Sequence, residues 1–233
     1  MKKIPFHFPM RKYERVIGIL YIPVHTLMMP VIISLISRAL GWNPDNAMLN
    51  LVYYAFGALF LLLSLNNYWR TTIRDLTGAP FRALQAVILG YVAFFVANIV
   101  VALVMSLFAS DTVNPNTAAV SDTMAINKDM MIVVLVLLAP VVEETMFRGA
   151  LFGTIRQKSR LLAYVVSALL FAIYHLWGFV LFDGGVSVLI YALQYIPAAI
   201  ALAWCYEWSG SLAAPVVLHA LINLIGAIDI VWR

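Results

Sequence analysis

Three short stretches of this chain place groups capable of acid–base chemistry inside apolar runs. Glu143-Glu144-Thr145-Met146-Phe147-Arg148 puts two carboxylates and a guanidinium where a membrane-spanning helix is expected. Phe171-Ala172-Ile173-Tyr174-His175 adds an imidazole, and His219-Ala220-Leu221-Ile222-Asn223 adds a second imidazole and a carboxamide. A charge at bilayer depth costs roughly 2.5–3.5 kcal/mol even on lenient insertion scales, so it persists where it is paired or working.

Helical spacing divides the labour. Residues four apart share a face, so Glu144 and Arg148 can pair. Glu143 is turned about 100° away and has no partner in its own helix, which suits a general base. Phe171 shares a face with His175, and His219 with Asn223. Taken singly, each group has a structural reading. The carboxylates can belong to a buried ion-pair network, Arg148 can snorkel to an interface, and His and Asn can cross-link membrane helices by hydrogen bonds. Taken together, they are the parts of a water-activating site. Glu143 with His175 would polarise a water, and His219 with Asn223 would donate hydrogen bonds to the developing oxyanion. That chemistry is peptide or amide hydrolysis inside a membrane, with no Ser or Cys nucleophile.

These groups need elements to hold them. The chain has 233 residues, 64% apolar and 11% charged, with a mean hydropathy of +0.93. Soluble domains run near 45–50% apolar and about 25% charged, so the expectation is an integral membrane protein with no separate soluble domain. The net charge of +4 does not imply nucleic acid, because the cations fall in short clusters between apolar runs. Cys205 is the single cysteine, which excludes an intramolecular disulfide; a buried packing role is expected for it. The basic, aromatic N-terminus reads as the lead-in to a retained signal anchor.

A span needs about 20 apolar residues, and seven stretches qualify. They are Val16 to Leu40, kinked or broken at Pro23 and Pro30; Ala47 to Leu65; Ala83 to Phe108; Met130 to Arg148, running on towards Ile155; Leu161 to Phe182, stopped by Asp183-Gly184-Gly185; Val186 to Trp208; and Ser211 to Trp232. Asn66 to Pro80 reads as an amphipathic interfacial connector, and Ala109 to Asp129 as a polar loop. The fold class is all-α: a polytopic transmembrane helix bundle of about seven spans, within a range of six to eight. Residues 1–129 are expected to form an N-terminal basic segment and three accessory spans, and residues 130–233 a catalytic core of four.

Cations orient the bundle. Lys2, Lys3, Arg11, Lys12 and Arg15 precede the first span, Arg70, Arg74 and Arg82 follow the second, and Arg156, Lys158 and Arg160 follow the fourth. The alternate loops hold Arg38, Lys128 and little else. This places the N-terminus in the cytoplasm and Arg233 outside. At about 1.5 Å per residue, Glu143 lies roughly 10 Å from the cytoplasmic end of its span if that end is near Ala150. His219 lies roughly 12 Å from Ser211 on the same scale. His175 comes out deeper, roughly 21 Å from Leu161, a mismatch that shrinks if the fifth span starts in the aqueous phase or is strongly tilted, and that otherwise counts against a single site.

The three motifs resemble those of the CAAX-protease and bacteriocin-processing membrane proteases. That family carries Glu-Glu-x-x-x-Arg, then Phe-x-x-x-His, then His-x-x-x-Asn or a similar residue. Ser167-Ala168-Leu169-Leu170 and Ser211-Leu212-Ala213-Ala214-Pro215 resemble the lead-ins to its second and third motifs. The resemblance covers about Met130 to Ile228; the first three spans carry no recognisable motif. It implies an intramembrane glutamate-type endopeptidase. Glu143 and His175 would activate water, His219 and Asn223 would form the oxyanion hole, and Glu144, Arg148 and Phe171 would support them. It also implies a cavity open towards the cytoplasmic side.

No metal or other cofactor is expected. Two His and a Glu are a common zinc ligand set, but no His-Glu-x-x-His helix is present. The expected partners are the lipid bilayer and a membrane-associated peptide or protein substrate, with no nucleic acid. A prenylated C-terminus, a bacteriocin or signalling-peptide leader, and a membrane remnant peptide all remain open as substrates. The expected location is the cell membrane of a prokaryote, as a multi-pass protein. Two rival readings use the same residues: a non-catalytic scaffold, bacteriocin-immunity or regulatory protein on the same fold, and a transporter or channel. Paired half-repeats, which a transporter would show, are not evident. Gly149-x-x-x-Gly153 offers a close approach of two helices.

Overall fold

The computed structural model describes residues 6, 8–107, 113–182 and 185–232. Among these are nine helices: α1 Lys12–Ala39, α2 Asn46–Ser64, α3 Asn66–Gly78, α4 Pro80–Ser106, α5 Pro115–Ile126, α6 Lys128–Arg156, α7 Arg160–Phe182, α8 Gly185–Ser209 and α9 Ala213–Trp232. All but α3 and α5, seven in number, are long and apolar enough to cross a membrane. The protein is a polytopic all-α bundle, with no strand among the described residues. Lys2, Lys3, Phe108, Asp183, Gly184 and Arg233, used above for orientation and boundaries, lie outside the described residues.

Local chemistry explains the boundaries. Asp45 caps α2 by accepting from the Met48 amide at 2.8 Å, and Asn127 caps α6 through the Met130 amide at 3.1 Å. Gly210, at φ 75°, ends α8 in the left-handed conformation that a residue without a Cβ adopts freely. The segment expected as a polar loop before the fourth span begins outside the described residues, at 109–112, and is helical over Pro115–Ile126. Asn114 caps it and Pro115 occupies its first turn. Met124 of this helix packs with Ala47, Met131 and Ala227, and that burial holds a short polar-looking helix in place.

Prolines shape two spans. The first span runs on continuously instead of breaking. Its turn at Val24–Met28 widens to π register, with the Met29 amide bonded to the Val24 carbonyl. The next bond in that register would run from residue 30 to His25, but Pro30 has no N–H. Tyr53 of α2 supplies the donor, its hydroxyl reaching the His25 carbonyl at 3.0 Å. In α6 the same thing happens at Val134–Leu138: Ala139 bonds to the Val134 carbonyl, and Pro140 cannot serve Leu135. Asn223 of α9 donates to that carbonyl at 2.8 Å.

Small residues bring helices close. A Cβ at Gly18 would stand 2.6 Å from that of Ala150, so α1 lies hard against α6. The end of the bundle that carries the three basic clusters is sealed. Phe6 packs edge-on against Phe152 and Tyr206, and Phe8 fills the space left by Gly153. Buried Glu14 accepts from the Tyr68 amide at 3.0 Å and the Arg11 amide at 2.9 Å, tying α1 to α3. Glu207 of α8 gathers Arg156, Arg160 and Tyr164 at 2.6, 3.0 and 2.8 Å.

The expected depth mismatch disappears. α6 runs to Arg156, not Ala150, so Glu143 lies about 20 Å from that end, against about 22 Å for His175 from the start of α7. His219 is nearer its helix start because α9 begins inside the bundle. Ser209, Ser211 and Leu212 are buried beneath α3, and Ser211 donates to the Thr72 carbonyl at 2.8 Å.

Candidate active site

Glu143 sits midway along α6, just before a π-wound stretch at Thr145–Phe152. Widened turns of this kind are frequent at functional sites. Its side chain is buried at 3% exposure. Oε1 accepts from the Tyr54 hydroxyl of α2 at 2.9 Å. Oε2 is buried without a hydrogen-bond partner, and two imidazoles converge on it. Nε2 of His175 is 3.7 Å away and Nε2 of His219 is 3.8 Å away. Both distances are too long for direct hydrogen bonds.

The far side of each imidazole is committed. Nδ1 of His175 lies 2.8 Å from the Phe171 carbonyl, which can only accept, so Nδ1 carries the proton. Nδ1 of His219 lies 2.8 Å from Oε1 of Glu144. His175 also stacks on Tyr195 with ring centres 4.5 Å apart, which fixes its plane. Both rings therefore present Nε2 to Glu143.

Glu144 and Arg148 form a fully buried pair at 2.9 Å. The guanidinium also reaches the Ala199 carbonyl at 3.4 Å and lies 4.2 Å above the ring of Phe171. Oε1 of Glu144 thus accepts from Arg148 and His219 together. Arg148 does not snorkel to an interface. Phe171 touches the guanidinium and both histidines, its ring centre 4.6 Å from that of His175 and 6.0 Å from that of His219. Asn223 lines the same cavity as Glu143, but one amide proton is spent on Leu135.

The cavity measures about 390 Å³. Glu143, His175 and His219 stand at its inner end. From there it runs away from the sealed basic end, past Asn98, Gln194 and Asn223, to Asn50, Asn116 and Asp229. Asn114 at the head of α5 donates to Gln194 at 2.7 Å and to Tyr195 at 3.1 Å, tying α5 to α8 beside the mouth. Among the described residues no group of three or more His, Cys, Asp or Glu is placed to hold a metal ion.

The motifs did not reveal Tyr54. The nearest signal was Tyr53-Tyr54, a pair of phenols midway along an otherwise apolar span. Tyr174, which meets the Tyr54 hydroxyl at 3.2 Å, stood inside the second motif without being assigned a task.

Residues 126–225 match the family described as type II CAAX prenyl endopeptidase, Rce1-like. The Rce1-like segment contains Glu143, Glu144, Arg148, Phe171, His175, His219 and Asn223; Tyr54 lies outside it. The match covers less than half of the chain. A relative, UPF0177 protein YxdF of Lactococcus lactis subsp. lactis (strain IL1403), is 29% identical over 93 residues, which is 40% of this chain and 46% of that protein. The chain therefore spans about half the length of the curated relative it matches. No solved structure matches.

Proposed function

We propose that the protein is an intramembrane endopeptidase in which Glu143 acts as the general base. The observation that carries this reading is the convergence of two imidazole Nε2 atoms on the unpartnered carboxylate oxygen of Glu143, at 3.7 and 3.8 Å. The Rce1-like match over the segment that holds these residues supports it.

A water that donates one O–H to Oε2 of Glu143 can donate its other O–H to Nε2 of His175. Glu143 takes one proton as the oxygen adds to the peptide carbonyl carbon, and the carbonyl electron pair moves onto oxygen. His219, anchored through Nδ1 to Glu144, directs an Nε2–H at that oxyanion, and the remaining amide proton of Asn223 assists. Collapse breaks the C–N bond, and Glu143 returns the proton to the leaving nitrogen. Tyr54 and Arg148 position the two carboxylates. The four spans α6 to α9, three of which hold the motifs, serve as the core of this machine, and the first three spans support it, α2 by way of Tyr54. The membrane is the cell membrane of a prokaryote.

The test is a peptidome comparison between cells making the wild type and cells making Glu143→Gln at equal membrane abundance. Peptides present only with the wild type are the expected result. Identical peptidomes would return the protein to the scaffold or immunity reading.

A further inference from the structure

We infer that the cavity is entered from the non-cytoplasmic face of the membrane, so that the substrate is a peptide segment presented on that side. This rests on the endopeptidase reading, and it reverses the cytoplasmic opening that the family resemblance implies.

Two independent observations carry it. The first is the direction of the cavity. Every lining residue belongs either to the depth of Glu143, His175 and His219 or to the bundle half beyond them: Asn50 near the start of α2, Asn98 in the later half of α4, Asn116 and Thr117 on α5, and Asp229 near the end of α9. Thr117, Gly226 and Asp229 are exposed. The other end is closed by Phe6, Phe8, Phe152 and Tyr206 and by α3. The second is charge. The closed end carries Arg11, Lys12, Arg15, Arg70, Arg74, Arg82, Arg156, Lys158 and Arg160, while the described residues of the open end offer Arg38 and Lys128 against Asp45, Asp122 and Asp129. An excess of Lys and Arg in short loops marks the cytoplasmic side. The open end is therefore the outer one.

The lining fits a peptide. Asn50, Asn98, Asn116, Gln194 and Asn223 offer carboxamides, each able both to donate and to accept. Those are the groups that match peptide N–H and C=O without demanding a particular side chain. The leader of an exported peptide, or an outer loop of another membrane protein, meets both conditions.

Cysteine accessibility tests this without reference to cleavage. Cys205 is buried and is replaced by Ser. Single cysteines are then introduced as Thr117→Cys at the mouth, Gly226→Cys within α9, and Lys158→Cys at the basic end. Gly226 has open space where the new Cβ would stand. A charged, membrane-impermeant maleimide is applied to intact spheroplasts and to opened membranes. Thr117→Cys and Gly226→Cys should label fully on intact spheroplasts, and Lys158→Cys only after opening. The inference is overturned if Lys158→Cys labels from outside, or if Gly226→Cys labels only after opening or only after denaturation. Labelling does not need catalysis, so the expected pattern in a protein with no detectable cleavage would count against the endopeptidase reading alone.

Discussion

Tyr54 donates its hydroxyl to Oε1 of Glu143 at 2.9 Å, from a helix that carries none of the three motifs. The bond occupies one carboxylate oxygen and leaves the other facing both histidines. It also fixes the carboxylate plane, which a base needs if its free lone pair is to point at a reacting water. Replacing Tyr54 by Phe removes only the hydroxyl. A hydrogen bond to a charged group contributes about 1.5–3 kcal/mol. Cleavage should therefore fall about 10- to 100-fold, in kcat more than in KM, with the protein still folded. An unchanged kcat would show that Glu143 is oriented by something else.

Glu143→Gln keeps the shape and the Tyr54 contact but removes the base. General base catalysis contributes about 10²–10⁴-fold, and cleavage of a reporter peptide in purified membranes should drop by that factor. Glu143→Asp, which retracts the carboxylate by one methylene, should recover part of the loss. Activity within a few-fold of wild type in Glu143→Gln would remove Glu143 from the mechanism.

Arg148 and Glu144 are both fully buried, and their contact is 2.9 Å. Removing one partner of such a pair strands a charge and costs about 3–5 kcal/mol. Arg148→Met should lower the unfolding temperature in detergent sharply. The double variant Arg148→Met with Glu144→Gln should recover much of that stability and none of the activity, since His219 would lose its anchor. Equal stability of the single and double variants would mean that the pair is not coupled.

Asn223 has two tasks that separate by substitution. Its donation to the Leu135 carbonyl replaces the bond that Pro140 cannot make. Leaving that carbonyl buried and unpaired costs about 1–3 kcal/mol. Asn223→Ala should therefore lose stability by that amount and lose activity by more than the stability loss explains. A variant with full stability would remove the first task, and one with full activity the second.

Chelation should leave cleavage unchanged, because the proposed chemistry draws only on protein groups. Loss of activity in a strong chelator, restored by added zinc, would transfer the two Nε2 atoms and Oε2 of Glu143 to a metal.

The spans and the polar groups inside them were legible because both follow from local rules, apolar length and four-residue spacing. The pairing of Glu144 with Arg148 needed nothing more. The helix at Pro115–Ile126 was hidden because its composition is polar and its stability comes from contacts with Ala47 and Ala227, remote in sequence. The depths of Glu143 and His219 were misjudged because α6 runs past Ala150 to Arg156 and α9 starts inside the bundle, beneath α3. Tyr54 could not be matched to Glu143 from sequence, since nothing in α2 encodes which helix it will face. The proline rule was readable in principle: Pro30 and Pro140 each free a carbonyl, and the donors had only to be found on neighbouring helices.

The aromatic closure at the basic end makes the cavity a blind one. A polar chamber that reaches the middle of the membrane would short-circuit ion gradients if it passed through, and Phe6, Phe8, Phe152 and Tyr206 prevent this. The same closure bars threading. On the endopeptidase reading, a chain that enters must retreat through the same mouth, so each turnover would cut only near a free end or at the tip of a loop that folds back on itself.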